Sequence, residues 1–254
     1  MNNNNLKDYL ERGFVFFDNY TVTITEDLEN KITGSAHSVK FYESDGETIR
    51  SFYGFHRDTH IKEWIQLQKP IQEICKKIYP NEDIYIHQSK VNIKNTIESS
   101  VWPFHRDFPF WNVFDGIADN RLLNVVIFMD DVNEDNGALS FIPGSQKYFL
   151  EREKEFAKQG YSLEGSASNN LNFDFNQYEV EAFKLKFGNE LITGPKGSIV
   201  IFNPNLVHGS SFSTQDFSRK LMLLTINVCT NKPKIPAIRP DYLCSTDFSP
   251  IKWN

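Results

Sequence analysis

The sequence predicts a mainly β fold: a β-sandwich or barrel-like core with a helical flank. Three observations carry this reading. From residue 83 the apolar period changes from helical to alternating. Short apolar runs then recur between turn residues such as Asn133 to Gly137 and Pro143-Gly144-Ser145. Aromatic residues make up 14% of the chain, 22 of them phenylalanine, which suits a β-rich fold with an aromatic-lined cavity.

The four-asparagine start is expected to be a frayed tail over residues 1–5, followed by a short helix over Leu6 to Glu11 that Gly13 ends. Phe14 to Phe17 reads as a buried strand and Thr21 to Thr25 as another. Asp58-Thr59 caps a helix whose apolar face carries Ile61, Ile65, Ile71, Ile74 and Ile78, interrupted or restarted at Pro70 and ended by Pro80-Asn81. In the alternating stretch Ile84, Ile86, Gln88, Lys90, Asn92 and Lys94 face one way. Further strands are expected at 99–107, 121–130, 138–142, 180–186, 197–203 and 219–228. A surface helix is expected at 148–159, and a loop or lid at 160–172.

A chain of 254 residues suits one domain, here 1–254. The net charge of −6 weighs against a nucleic-acid binder, which needs a basic face. The three cysteines have no paired spacing and read as plain thiols in a reducing compartment. No basic, apolar leader and no membrane-length apolar run is evident, so a cytoplasmic protein without membrane association is expected.

Two tripeptides read His-Arg-Asp, at 56–58 and at 105–107. The first precedes a helix, where Asp58 serves as a cap. The second lies in the extended aromatic stretch Val101 to Phe108, where alternation would put His105 and Asp107 on one face and turn Arg106 away. His208, just after the apolar strand Gly197 to Asn203, is the best second histidine. Two histidines and one carboxylate suit iron(II) with three open positions, which accept a bidentate keto acid and dioxygen. Zinc takes the same ligands for hydrolysis. Arg219, eleven residues after His208, decides between them: an arginine entering an apolar interior must meet an anion. The distal carboxylate of 2-oxoglutarate is such an anion. A turn at 211–217 would fold the Arg219 strand back beside the one bearing His208.

The pattern Ile49 to His56, Tyr85 to Lys94, Trp102 to Trp111, Asp115-Gly116, Arg121, Asn136 to Ser145, His208-Gly209-Ser210 and Arg219 resembles the phytanoyl-CoA dioxygenase superfamily of iron(II)/2-oxoglutarate oxygenases. Its closer likeness is to ectoine hydroxylase and bacterial hydroxylases of free amino acids, over most of residues 45–230. The resemblance implies a double-stranded β-helix, or jelly roll, and hydroxylation of an unactivated C–H bond with iron(II), 2-oxoglutarate and dioxygen. It also implies 2-oxoglutarate contacts from Asn92 and Lys94, help to Arg219 from Ser210, and substrate contacts from Gln88 and Trp111. Arg106 and Pro109 depart from the serine and glutamate of ectoine hydroxylase. Leu223 stands where an aromatic helps to enclose ectoine.

The expected substrate is a small amphoteric molecule, a free amino acid or close relative. At −6 the chain lacks a basic cluster for the phosphates of an acyl-CoA. Arg50 and Arg121 are the candidate partners of a substrate carboxylate. Competing readings are a non-catalytic jelly-roll binding module and a hydroxylase of ectoine or another compatible solute. A protein kinase fits only His105-Arg106-Asp107 and Asn112, with no glycine-rich loop, D-F-G or A-P-E.

Overall fold

The computed structural model describes residues 3–17, 21–95, 101–158, 160–163, 165, 170–214 and 218–253. The N-terminal part holds α1 (Asn3–Arg12), β1 (Phe14–Phe17), α2 (Glu26–Gly34), β2 (Val39–Tyr42), β3 (Ile49–Tyr53), α3 (Thr59–Gln66) and α4 (Lys69–Ile78). Then come β4 (Ile84–Lys94), β5 (Trp102–His105), α5 (Phe108–Asp115), β6 (Leu122–Phe128), β7 (Leu139–Phe141), α6 (Gln177–Phe187), β8 (Glu190–Ile192), β9 (Ile199–Phe202), β10 (His208–Ser210) and β11 (Arg219–Val228).

A seven-stranded sheet runs β1-β9-β6-β11-β4-β3-β2, and a four-stranded sheet runs β5-β10-β7-β8. From β4 to β11 the chain passes between the two sheets in the order large, small, large, small, small, large, small, large. With every pairing antiparallel, this is the double-stranded β-helix that the resemblance implies. Between the sheets pack Phe14, Phe128, Phe141, Phe202, Leu221 and Leu223. The outer face of the large sheet, with Val125, Ile201 and Leu224, is covered by Leu28 and Ile32 of α2, Ile61 and Ile65 of α3, and Ile71 and Ile74 of α4. No helix among the described residues is long and apolar enough to cross a membrane.

One irregularity in β4 matters for the site. Thr225 of β11 pairs with Gln88 and Ile226 with Ile86, so His87 is an extra, bulged residue. The bulge reverses the facing of the strand. Ile84 and Ile86 before it, and Val91 after it, all pack in the core under the helices. Gln88, Lys90, Asn92 and Lys94 therefore share a face that Ile84 and Ile86 do not. Uniform alternation along 84–94 is corrected to this extent.

Other sequence expectations are also corrected. The strand expected at 180–186 is helix α6, because Val180 and Phe183 are buried at helical spacing and Asn176 with Glu179 forms a capping box. Thr21 to Thr25 forms no strand, although the Val22 amide donates to the Gly197 carbonyl at 2.8 Å; Thr25 accepts from the Leu28 amide and starts α2. Helix α1 begins at Asn3, inside the stretch expected to fray. Residues 151–158 form a 3-10 helix where a longer surface helix was expected. Pro70 restarts a helix, as α4 with the proline in its first turn. Parts of the expected loops 160–172 and 211–217, and of the strand 99–107, lie outside the described residues.

Candidate active site

His105 ends β5 and His208 begins β10, and the two are direct partners across that antiparallel pair. Their ring centroids lie 4.3 Å apart. His105 Nδ1 donates to the carbonyl of Pro103 at 2.7 Å, and His208 Nδ1 to that of Leu206 at 2.9 Å. Each imidazole is thereby held as the Nδ1–H tautomer with a lone pair on Nε2. Asp107 is not on the strand. β5 stops at His105, and Asp107 has helical dihedrals as the cap of α5, where a proline enters the first turn. Convergence with His105 thus comes from a strand-to-helix corner rather than from alternation. Its oxygens lie 3.4 Å from His105 Nε2 and 3.6 Å from His208 Nε2. One ligand atom from each of the three residues falls within 4.8 Å of the others. Arg106 points away and is fully buried, donating to Glu153 at 2.7 Å.

The electrostatics suit a cation. Burial pushes His208 down to about 4, with His105 adding to it, so the ring is neutral at physiological pH and needs no proton displaced. Burial alone would raise Asp107, but His208, His105 and Lys90 outweigh it and hold the carboxyl well below its ordinary range. Two neutral nitrogens and a carboxylate are a donor set that iron(II) accepts.

A cavity opens from His105 and His208 toward Asn92, Lys94, Ser210 and Arg219. Arg219 is 1% exposed and donates to the carbonyls of Asn136 and Gly137; no carboxylate pairs with it among the described residues. Burial brings its pKa down to about 9. Lys94 opposes Arg219 in the β4–β11 register and falls to about 7, through burial and then the charge of Arg219. Gly137 has φ +77°, and a Cβ there would lie 3.1 Å from Lys94 Cγ and 3.3 Å from Arg219 Nη2. The fold thus keeps two desolvated basic side chains together beside a glycine that makes room for them, an arrangement that suits an anion.

A second cavity, lined by Tyr53, Gln88, Trp111, Leu171 and Arg239, reaches His105 and Asp107 and shares Lys90 and Trp102 with the first. Gln88 Nε2 donates to the carbonyl of Leu243 at 2.8 Å, so its Oε1 is left for a ligand. Arg239 is 5% exposed. Its Nε and Nη2 are engaged by Asp115 and, for Nη2, Leu243, which leaves Nη1 without a partner among the described residues.

The profile of the family described as phytanoyl-CoA dioxygenase (PhyH) matches residues 25–221. The chain belongs to this family. An L-proline trans-4-hydroxylase of Streptomyces griseoviridis is 35% identical over 170 residues, covering 66% of this chain and 63% of that protein. The chain thus matches less than two thirds of that relative's length. An ectoine dioxygenase of Stutzerimonas stutzeri (strain A1501) is 27% identical over 234 residues, covering 87% and 73%. The crystal structure of EctD from S. alaskensis in its apoform superposes with a TM-score of 0.82 at 19% identity, over 100% of this chain and 87% of that one, and shows the same fold.

Within this PhyH fold, the residues expected at the site divide clearly. His105, Asp107 and His208 come together, as do Asn92, Lys94, Ser210 and Arg219, and Gln88 with Trp111. Arg219 reaches the site across the sandwich: β11 pairs with β4 and β6, not with β10, so the two strands are not neighbours as expected. Arg50 lines neither cavity; its guanidinium stacks 5.9 Å from Phe41 and 5.7 Å from Trp102. Arg121 also lines neither; it is paired with Glu82 at 3.0 Å and Asp119 at 3.7 Å, because its position just before β6 turns it to the surface. Sequence reasoning missed Arg239, which lies in irregular chain after the last strand and outside the profile match.

Proposed function

We propose that this chain is an iron(II)- and 2-oxoglutarate-dependent dioxygenase that hydroxylates a free amino acid or close derivative, as a single domain over residues 1–254. The observation that carries the proposal is the arrangement of His105, Asp107 and His208 beside a cavity whose far wall holds Arg219 and Lys94. Those three residues would hold the iron. Arg219 and Ser210, with Asn92 and Lys94, would hold the distal carboxylate of 2-oxoglutarate. Bound iron with 2-oxoglutarate and dioxygen supplies the oxidising power that replaces C–H by C–OH and yields succinate and carbon dioxide. The protein's part is to orient ligands and substrate and to exclude water from a buried pocket.

The second cavity supports the substrate class. Arg239 Nη1 would donate to a carboxylate, and Gln88 Oε1 would accept from an amine N–H; both residues line the cavity. Trp111 offers a flat apolar wall. No acidic side chain other than Asp107 lines this cavity among the described residues, which disfavours a strongly cationic side chain. The named activities of the two relatives, proline hydroxylation and ectoine oxidation, are both on small molecules that fit this description. The test is succinate release with iron(II), 2-oxoglutarate and oxygen, screened over free amino acids, cyclic imino acids and ectoine. Stimulation by an amino or imino acid is expected. Turnover of an acyl thioester alone would overturn the substrate class, and absence of bound metal and turnover would favour a non-catalytic binding module.

A further inference from the structure

Behind the second cavity runs a line of buried polar side chains that touches neither the metal ligands nor the Arg219 pocket. Asn227 Nδ2 donates to the Tyr85 hydroxyl and to the carbonyl of Asn231, each at 3.0 Å, which uses both of its hydrogens. The Tyr85 hydroxyl then turns its own hydrogen to His87 Nδ1, 3.3 Å away. His87 Nε2 lies 2.9 Å from Asp115 Oδ2, and a carboxylate oxygen only accepts, so the ring carries its proton on Nε2. Asp115 in turn takes Arg239 on both oxygens, Nε to Oδ1 at 2.7 Å and Nη2 to Oδ2. Both His87 and Asp115 are 0% exposed.

A buried ionic chain of this kind adds little stability over an apolar filling of the same volume. Its geometry has another consequence. Arg239 stands in irregular backbone after β11, with no strand or helix to direct it. The bulge at His87 sends that ring toward Asp115, and Asp115, the last residue of α5, grips one edge of the guanidinium. Cys244 completes a His-Asp-Cys cluster within 4.8 Å, but the guanidinium already occupies both carboxylate oxygens, so the cluster is no cation site.

We propose that Asp115, backed by His87, is the positioning residue for Arg239, fixing the guanidinium plane so that Nη1 is presented to the substrate cavity. The proposal rests on the reading of that cavity as the substrate site. Asp115 does not touch substrate; it acts through Arg239. Two guanidinium nitrogens are committed to the protein, so an acid group in the cavity is read by Nη1 alone, in a fixed plane, rather than by a free Nη1/Nη2 fork. Such reading is sensitive to where the acid group sits relative to the metal.

Two measurements test this, and the first needs no substrate. The 15N–1H signal of Arg239 Nε in the intact protein should be slow to exchange. Asp115→Asn should move it or lose it, as should His87→Leu, whereas His87→Gln, whose Nε2–H still reaches Asp115, should keep it. In the iron-loaded enzyme with L-proline as the probe, Asp115→Asn and His87→Leu should raise the KM for L-proline about tenfold to a hundredfold. His87→Gln should restore it, and the KM for 2-oxoglutarate should not move. An Nε signal unchanged in both Asp115→Asn and His87→Leu would overturn the proposal. So would a His87→Gln variant as impaired as His87→Leu. Lack of L-proline turnover by the unmodified enzyme counts against the substrate reading alone, because the signal of Arg239 still decides the positioning role.

Discussion

Asn124 donates its side-chain amide to Asp107 Oδ2 at 2.6 Å, from the middle of β6 in the large sheet. Thr225 donates to Asn124 Oδ1 at 3.0 Å, which fixes the direction of that amide. The aspartate is therefore oriented by the large sheet, while both imidazoles are oriented by backbone carbonyls next to the small sheet. The three proposed ligands are held independently, and each has an outer partner.

Asn124→Ala should weaken iron(II) binding about tenfold to a hundredfold, the usual effect of losing a partner behind a metal ligand. Anaerobic titration with iron(II) or cobalt(II) measures it. Unchanged affinity would mean that Asp107 needs no support from the large sheet.

Arg219→Ala should raise the Kd for 2-oxoglutarate strongly while sparing iron. Truncating one partner of a desolvated charge pair costs about 2–5 kcal/mol, on the order of 30-fold to several thousandfold. Calorimetric titration of the iron-loaded protein separates the two affinities. If Kd stays constant, the anion is anchored elsewhere, with Lys94 the first suspect.

If Lys94 contacts 2-oxoglutarate as proposed, it gives the co-substrate a pH dependence. Its pKa is lowered to about 7 by burial and by Arg219, so the ammonium is present below that pH and lost above it. A carboxylate in the pocket favours the charged form. Affinity for 2-oxoglutarate should thus be highest below pH 7 and fall as pH rises through 7 to 8.5. Lys94→Met should bind more weakly at pH 6.5 and show a flatter profile over the same range. A parallel profile in the variant would assign the titration to another group.

How much of this was legible in the sequence depends on how local the cause was. Residues that alternate in a strand and face an interior leave a pattern, and Gln88, Asn92 and Lys94 were grouped correctly from it. The bulge at His87 leaves none, because only the partner strand reveals that an extra residue is present. Asp107 was found by its neighbour His105, yet its position on a strand-to-helix corner was not. Val180 with Phe183 reads as a strand because a short apolar run has no clear period; the capping box at Asn176 is the local signal that a helix starts there. Arg239 carries no motif at all, and only tertiary structure brings it next to Gln88 and Trp111.

Arg239→Gln and Arg121→Ala form a matched pair. The first should raise the substrate KM at least tenfold without affecting iron, since it removes a charged donor from a buried cavity. The second removes a surface ion pair and should leave KM unchanged, with stability altered by no more than about 1 kcal/mol. Kinetics on the two variants with the same substrate give the comparison. The reverse result would restore Arg121 as the anchor.

Gly137→Ala should disturb the co-substrate pocket from outside its lining. The new Cβ meets Lys94, Arg219 and the carbonyl of Ser211 at 3.1 to 3.3 Å in a left-handed backbone. A cost of about 1–3 kcal/mol is expected. A lower Tm together with a raised KM for 2-oxoglutarate is the predicted outcome, read by thermal denaturation and steady-state assay. A lower Tm alone would mean that the cations absorb the methyl without moving.

Arg239, which lines the second cavity, and Leu243, whose carbonyl holds the Gln88 amide, follow β11, whereas the family profile ends at residue 221. The candidate metal ligands and the Arg239 wall of the second cavity therefore lie in separate stretches of chain. On the proposed reading, divergence in the later stretch would alter the substrate wall while every proposed metal ligand stays in place. Similarity confined to the earlier stretch conveys the reaction but not its target. Grafting the region after β11 between two family members would then change one wall of the second cavity and leave the proposed metal ligands untouched.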